Sequence, residues 1–124
     1  MPASRDLQER TRLFALAVLH FCRRLPDTRE ANEAASQLRR AANSVRSNYR
    51  AARRGRSRAE FQAKLGTVYE EADECVDVLV YLKDANIRHD AALLQEATEL
   101  ARIFAKSVST ARANSKRLKV VPAS

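Results

Sequence analysis

The chain has 124 residues, 45% of them hydrophobic, and a formal net charge of +8. This length fits one domain that can bury a core, and the 2 glycines and 3 prolines leave little material for long loops. Alanine, leucine, arginine and glutamate are abundant and favour helix, so the composition predicts an all-helical protein. No apolar run approaches the roughly 20 residues that cross a bilayer, and the polar N-terminus lacks a secretory signal, so we expect a cytoplasmic protein.

The first amphipathic pattern predicts a helix over residues 5–24. Apolar side chains recur there every three or four positions and form one stripe, which Leu13, Leu16 and Ala17 widen. Pro26 ends this helix, because the residue before a proline avoids helical geometry. The stripe that we expect to face the core consists of Leu7, Thr11, Phe14, Val18, Phe21 and Leu25.

A second helix is predicted over residues 28–54, with Thr28 as its N-cap. Written as heptads, small and mostly apolar residues fall at positions a, d and e, so a neighbouring helix can approach closely. Arginines fall at positions b, c and f, on the opposite face. The predicted core face consists of Ala31, Ala34, Ala35, Leu38, Ala41, Ala42, Val45, Asn48, Tyr49 and Ala52.

The third helix is predicted to begin at Ser57, after a stop at Gly55. Ser57 and Glu60 form a capping-box pattern, in which each side chain satisfies the backbone N–H of the other residue. The core residues alternate in steps of four and three, as in left-handed helix packing; they are Phe61, Leu65, Val68, Ala72, Cys75, Leu79 and Leu82. Further apolar residues beside them indicate burial on two sides or contact with another subunit; these are Val76, Val78, Val80 and Tyr81.

Asp90 is predicted to cap a fourth helix, which buries apolar residues from Leu93 to Ala111. After Ala113 the helical period is lost, so residues 114–124 are predicted to form a flexible basic tail. Four helices with short connections predict an all-α, antiparallel up-down-up-down four-helix bundle over residues 1–113.

The second helix and the loop after it carry a concentration of positive charge, which we call the arginine ridge. Between residues 34 and 59 there are eight arginines and no acidic residue, so this window accounts for the whole net charge. Unpaired arginines at this density indicate a polyanion partner, most often nucleic acid, which they would hold by phosphate contacts. The ridge consists of Arg39, Arg40, Arg46, Arg50, Arg53, Arg54, Arg56 and Arg58, and the tail would add a second contact through Lys116, Arg117 and Lys119.

Two alternatives for the ridge remain open at this point: a solvated helix face, and pairing with acids across a subunit boundary. Arg39 or Arg46 could meet Glu70, Glu74 or Asp77 of another copy. The acids on the outside of the third helix are Glu70, Glu71, Asp73, Glu74 and Asp77. Because they are too few to neutralise eight arginines and the basic tail, nucleic-acid binding is favoured over pairing between subunits.

Catalytic and metal-binding patterns do not stand out in the sequence. There is no glycine-rich phosphate loop and no nucleophile–base constellation. The spacing of His20, Cys22, Cys75 and His89 matches no zinc pattern, and the two cysteines fall within apolar helical patterns. We therefore expect no enzyme, no metal and no cofactor, and two small buried thiols.

The central motif resembles a known family. Residues 36–48 (SQLRRAANSVRSN), 57–61 (SRAEF) and 64–66 (KLG) are similar to the four helix bundle proteins, also called 23S rRNA intervening-sequence proteins. The family pattern reads S-Q-L-R-R-A-A-x-S-I-P-S-N-I-A-E-G and then S-x-x-E-F. The resemblance extends from about Leu7 to Ala113, and it implies a four-helix protomer within a ring-shaped homopentamer.

The same resemblance implies kinship with the accessory variability determinant of diversity-generating retroelements, a basic pentamer that binds nucleic acid and a reverse transcriptase. Some genes of the family lie in insertions within large-subunit rRNA genes. This chain departs from the pattern in its charge: Arg46 replaces the proline, and residues 49–52 (YRAA) replace I-A-E-G. Loss of proline and glycine should let the second helix continue to Arg54, and the added arginines favour binding of a polyanion. The competing function is a protein–protein scaffold, in which the arginines serve assembly or a partner such as a reverse transcriptase.

Overall fold

The computed structural model describes residues 3–120, and their side chains from residue 7 to residue 117. Within that range the chain forms four helices and no strand: α1 (Ala3–Arg23), α2 (Arg29–Arg53), α3 (Arg58–Asp84) and α4 (Ala91–Val120). α2 packs against both α1 and α3, α3 packs against α4, and α1 meets α4 over a shorter stretch. Since short connections join helices that pack side by side, neighbours are antiparallel. The predicted all-α four-helix bundle is confirmed.

The three predicted N-caps are confirmed. Thr28, Ser57 and Asp90 each precede a helix, and each side-chain oxygen accepts a hydrogen bond from the backbone N–H three residues later, at 3.2, 3.1 and 3.0 Å respectively. Each bond satisfies one of the N–H groups that a helix start leaves without an intrahelical partner. These caps fix the starts of α2, α3 and α4 from local sequence alone.

The capping box of α3 differs in one contact from the predicted pattern. The carboxylate of Glu60 accepts a hydrogen bond at 3.2 Å from the backbone N–H of Arg56, one residue before Ser57. Glu60 therefore ties down the connecting loop and leaves its contact with the Ser57 N–H unmade. Because this loop carries ridge arginines, the bond also helps to hold them in place.

The core follows the predicted periodicity closely in α2 and α3. Of the ten α2 positions predicted to face the core, nine are buried. Asn48 is half-buried, and its amide donates to the Ser44 carbonyl and hydroxyl at 3.0 and 2.8 Å. Tyr49 is 5% exposed, and its ring lies 5.5 Å from that of Phe104 at a tilt of 50°. In α3 the predicted residues from Leu65 to Leu82 are buried, while Phe61 is partly buried at the edge of the core.

Several apolar residues predicted to widen the core are exposed instead. Leu13 and Leu16 are 50% and 41% exposed and Ala17 is also exposed, so the prediction that these three residues widen the core stripe of α1 is wrong. The reason is that the neighbouring helices leave open grooves along both sides of α1: Leu13 borders the groove with α4, and Leu16 borders the groove with α2. In α3, Val78 is buried, but Val80 and Tyr81 are 36% and 57% exposed.

α4 is longer than predicted. The helix runs to Val120, whereas the sequence reading ended it at Ala113, so that boundary is corrected. Residues 114–120 contain no glycine or proline, and alanine, lysine, arginine and leucine nearby favour helix. Residues 121–124 of the predicted tail lie outside the described residues. None of the described helices combines the length and the apolar character that a bilayer crossing requires.

Candidate nucleic-acid interface

The arginine ridge faces outward from the bundle. The heptad positions of its α2 members place them opposite the alanine-rich core face, and the structure leaves all of its residues exposed except Arg46, which is half-buried. From Arg39 to Arg53 the ridge extends for roughly 21 Å, at 1.5 Å per helical residue. A continuous, outward-facing row of guanidinium groups was the central prediction from the sequence, and it is confirmed.

The positive charge of the ridge is not neutralised within the protomer. The ion pairs among the described residues are Arg10–Glu96 and Arg12–Glu9, at 2.7 and 2.8 Å, and neither includes a ridge arginine. Arg46 donates twice to the amide oxygen of Asn43, at 3.1 and 2.6 Å, and this contact carries no opposite charge. The guanidinium groups are therefore available to an external anion.

The five acids on the outside of α3 do not pair with the ridge. Glu70, Asp73, Glu74 and Asp77 are exposed and Glu71 is half-buried, and no described ridge arginine forms a salt bridge with them. Within one protomer the acids of α3 therefore leave the charge of the ridge in place. Pairing between copies stays a prediction.

Two ridge arginines touch the edge of the core. Burial raises the pKa of the Tyr49 hydroxyl, and the positive charge of nearby Arg53 opposes this increase. Burial likewise raises the pKa of the Cys22 thiol, and nearby Arg39 opposes this increase by a smaller amount. Arg39 and Arg53 are nevertheless exposed as whole residues.

The antiparallel topology brings the two predicted basic regions to one end of the bundle. α2 ends, α3 begins and α4 ends at this end. A hydrogen bond of 3.1 Å from the Gln62 side chain to the Ala111 carbonyl fixes α4 beside the start of α3, and a groove of about 690 Å³ lined by Gln62 and Lys116 lies between them. The tail cations Lys116 and Arg117 are exposed. Lys119 lies in the last turn of α4, and its side chain is outside the described set.

We call this surface the basic end. Lys64 belongs to it although the sequence reading missed it; it lines a shallow groove of about 710 Å³ together with Arg50, Arg54, Arg56 and Glu60. The signal was present, since Lys64 lies one helical turn beyond Glu60 on α3. The basic end consists of Arg50, Arg53, Arg54, Arg56, Arg58, Lys64, Lys116 and Arg117.

The remaining three ridge arginines border a second groove, and one of them, Arg46, also lines the groove at the basic end. Arg39, Arg40 and Arg46 border a groove of about 530 Å³ between α1 and α2. Its floor is apolar and includes Leu16 and Leu19. The continuous ridge therefore spans two adjoining surfaces that share Arg46 and differ in chemistry: a polar basic end and an arginine-bordered apolar groove.

The cysteines and histidines do not come together as a site. Cys22 and Cys75 are buried and unpaired, whereas His20 and His89 are exposed. Over the part of the chain that the structure describes, no three side chains of His, Cys, Asp or Glu are placed to hold a metal ion.

Comparison with known proteins agrees with the resemblance read from the motif. A family model described as 23S rRNA-intervening sequence protein matches residues 5–106. The chain belongs to this family. The crystal structure of a protein of unknown function from the S23 ribosomal protein family, from Bacteroides thetaiotaomicron VPI-5482, has the same fold, with a TM-score of 0.76 at 21% identity. That alignment covers 86% of this chain and 97% of the other. A comparison with curated proteins finds no match.

The second helix of this family member is unbroken. Arg46 stands where the family pattern has proline, and α2 continues through it to Arg53, with Arg54 as its C-cap. The predicted continuation of α2 through Arg46 to Arg54 is confirmed to within one residue. The consequence for the surface is that Arg50 and Arg53 extend the row of Arg39 and Arg46 without a kink.

Proposed function

We propose that this protein is a non-enzymatic, cytoplasmic accessory protein that binds RNA or DNA through phosphate contacts at its basic end. The observation that carries the proposal is the convergence of eight cations from three helices and one loop on one end of the bundle. Among the described residues these cations have no salt-bridged carboxylate. Such a surface suits a polyanion, because each phosphate that displaces a counterion contributes to binding.

The chemistry of the basic end favours backbone contacts over base recognition. Guanidinium groups match phosphate oxygens in a two-pronged geometry. Tyr49, the aromatic residue within the ridge, is buried against Phe104 and cannot offer a stacking face to a base. We therefore propose binding with strong salt dependence and little sequence preference.

We further propose that the protein acts as a homo-oligomer, a pentameric ring as the family resemblance implies. A ring multiplies the number of basic ends by the number of subunits, and linked sites raise the apparent affinity for a long polyanion. The two buried, unpaired thiols are compatible with a reducing compartment such as the cytoplasm.

A salt titration of mutant and control proteins tests nucleic-acid binding. We expect Arg50→Ala, Arg53→Ala, Arg54→Ala and Arg56→Ala together to lower the slope of log K against log salt by about 3 to 4 for duplex and somewhat less for single strands. Filter binding at several salt concentrations, with one duplex and one single strand of equal length, gives this slope.

A matched control removes the same charge from the opposite end of the bundle. Arg23, Arg24, Arg29 and Lys83 are exposed there, at the end of α1, the start of α2 and the end of α3. Their fourfold alanine variant should keep most of the wild-type slope. Equal slopes for both variants would show that overall charge, and not the basic end, governs binding.

A scaffold function is the second candidate, and the apolar floor of the α1–α2 groove favours it. Exposed Leu16 in one groove with Arg39 and Arg40 is unlike a pure phosphate site and is typical of a protein contact. A protein partner such as a reverse transcriptase, or another copy of this chain, could occupy it. Retained partner binding after loss of all nucleic-acid binding would support this candidate.

A further inference from the structure

Two surfaces of this protomer combine an exposed large apolar side chain with charged residues, and their charges are opposite. The first is the groove between α1 and α2, which we call the leucine groove. Leu16, 41% exposed, and Leu19 lie on its floor, and Arg39, Arg40 and Arg46 lie along its α2 border. The α1 border adds Arg12, whose charge is already paired with Glu9. The groove is thus an apolar surface beside three cations that no described carboxylate neutralises.

The second surface surrounds Tyr81 and lies in the groove between α2 and α3; we call it the Tyr81 surface. Tyr81 is 57% exposed, more than the other exposed large apolar residues of the described chain. The groove of about 310 Å³ beneath it is bordered by Glu30, Glu33 and Asp77. None of these three carboxylates forms a salt bridge with a described residue.

The acidic character of the Tyr81 surface extends along α3. Asp73 and Asp84 are exposed at helical spacing from Tyr81 and continue the row of Asp77. Arg29 and Lys83 are exposed cations on the same two helices, and they offset only part of this negative charge. A protruding aromatic ring among carboxylates complements an apolar groove among guanidinium groups in both shape and charge.

The two surfaces cannot meet within one protomer. Both use α2, but Arg39, Arg40 and Arg46 line its groove with α1, while Glu30, Glu33 and Ala34 line its groove with α3. A contact between them must therefore join two copies, with a different surface contributed by each. Such a head-to-tail contact produces a closed ring when the rotation closes, and an open chain when it does not.

We propose that the Tyr81 surface of one copy docks into the leucine groove of a second copy. Tyr81 enters between Leu16 and Leu19, and Glu33 and Asp77 face Arg39 and Arg40. Tyrosine is a frequent anchor at such contacts, because its ring supplies a large apolar area and its hydroxyl a polar contact. The inference rests on the assembly part of the proposed function and specifies it.

Docking in this way leaves the basic end free. Arg50, Arg54, Arg56 and Lys64 lie around the α2–α3 connection and line neither groove of the contact. Arg46 lines both the leucine groove and the groove at the basic end, so it is left unchanged in the variants that test either part. The ridge therefore divides into an assembly part and a nucleic-acid part. A failure of one can be distinguished from a failure of the other.

Charge reversal with rescue tests the contact. Arg39→Glu with Arg40→Glu, and separately Glu33→Lys with Asp77→Lys, should each weaken self-association on the order of tenfold or more, because like charges then face each other. The chain with all four changes should regain most of the wild-type association, since opposite charges face again. Sedimentation velocity over a range of concentrations measures this, and helix content by circular dichroism checks folding.

Tyr81→Ala supplies an independent arm, because it leaves every charge in place and should also weaken association. Leu13→Ala is the matched control, since Leu13 is similarly exposed, at 50%, and lies on α1 in the groove with α4, away from the proposed contact. A monomeric wild type, an unchanged mass for both reversal variants, or no recovery in the four-change chain would overturn the inference. Nucleic-acid binding by the basic end would survive any of these results, because its salt slope is measured separately.

Discussion

The two cysteines show how a single buried residue combines packing with a titration property. Both were predicted as small buried apolar residues, and Cys22 and Cys75 are 7% and 0% exposed. Burial raises the pKa of Cys75 to about 12, and the negative charges of Glu74 and Glu71 add to this effect. The folded protein therefore keeps the Cys75 proton at a pH where the unfolded chain has lost it.

The stability of the protein should consequently fall at alkaline pH. Below about pH 9 the Cys75 thiol is protonated in both states and contributes no pH dependence. Between pH 9 and about 12 only the folded state keeps the proton, so the free energy of unfolding falls as the pH rises. Near pH 10.5 we expect a loss of about 2 kcal/mol from this group. Urea unfolding at about pH 8 and 10.5 measures this loss. The free energy of unfolding should fall less between these pH values in Cys75→Ala than in the wild type, and equal decreases would show that Cys75 is not the source of the pH dependence.

At the scale of elements, prediction from sequence succeeded where one pattern allowed one interpretation. In α2, alanines on one face and arginines on the other leave a single way to orient the helix, and nine of ten predicted core positions are buried. In α1, the pattern could not show whether a neighbour covers each flank, so Leu13 and Leu16 were assigned wrongly to the core. In α4, the loss of periodicity after Ala113 was interpreted as the end of the helix. The sequence contains no helix-breaking glycine or proline between Ala113 and Pro122, and the helix continues to Val120.

The continuity of α2 through Arg46 is the element-scale feature that shapes the ridge. A proline at this position would remove the intrahelical N–H bond and clash with the preceding turn. We expect Arg46→Pro to lower the free energy of unfolding by about 3 kcal/mol relative to Arg46→Ala. Arg46→Ala itself loses only the exposed contact with Asn43 and should stay within about 0.5 kcal/mol of wild type.

Urea unfolding monitored by circular dichroism compares the two Arg46 variants directly. Because both remove the same charge, the difference between them isolates the backbone effect. Equal stability of the proline and alanine variants would mean that α2 tolerates a kink here. The family pattern, which has proline at this position, would then describe the same helix geometry as this chain.

At the scale of the whole molecule, the functional surfaces depend on topology that a linear reading does not contain. The sequence identified the ridge and the basic residues after Ala113 as separate regions. The antiparallel arrangement joins them at one end, where Gln62 bonds to the Ala111 carbonyl. The same arrangement splits Arg39 and Arg40 from Arg54 and places them beside α1. Residue types were thus predictable, whereas their grouping required the packing of α1 and α4.

If the end of α4 belongs to the basic end, its cations should act together with those of the α2–α3 connection. Lys116→Ala with Arg117→Ala should lower the salt slope of nucleic-acid binding by about 1 to 2, because two exposed phosphate contacts are lost. Arg102→Ala with Lys106→Ala removes two exposed charges from the same helix, roughly 15 to 20 Å nearer its middle, and should change the slope little. Filter binding at matched salt concentrations compares the pairs. A larger change in slope from the Arg102 and Lys106 variant would indicate that nucleic acid binds at the side of the bundle and not at its end.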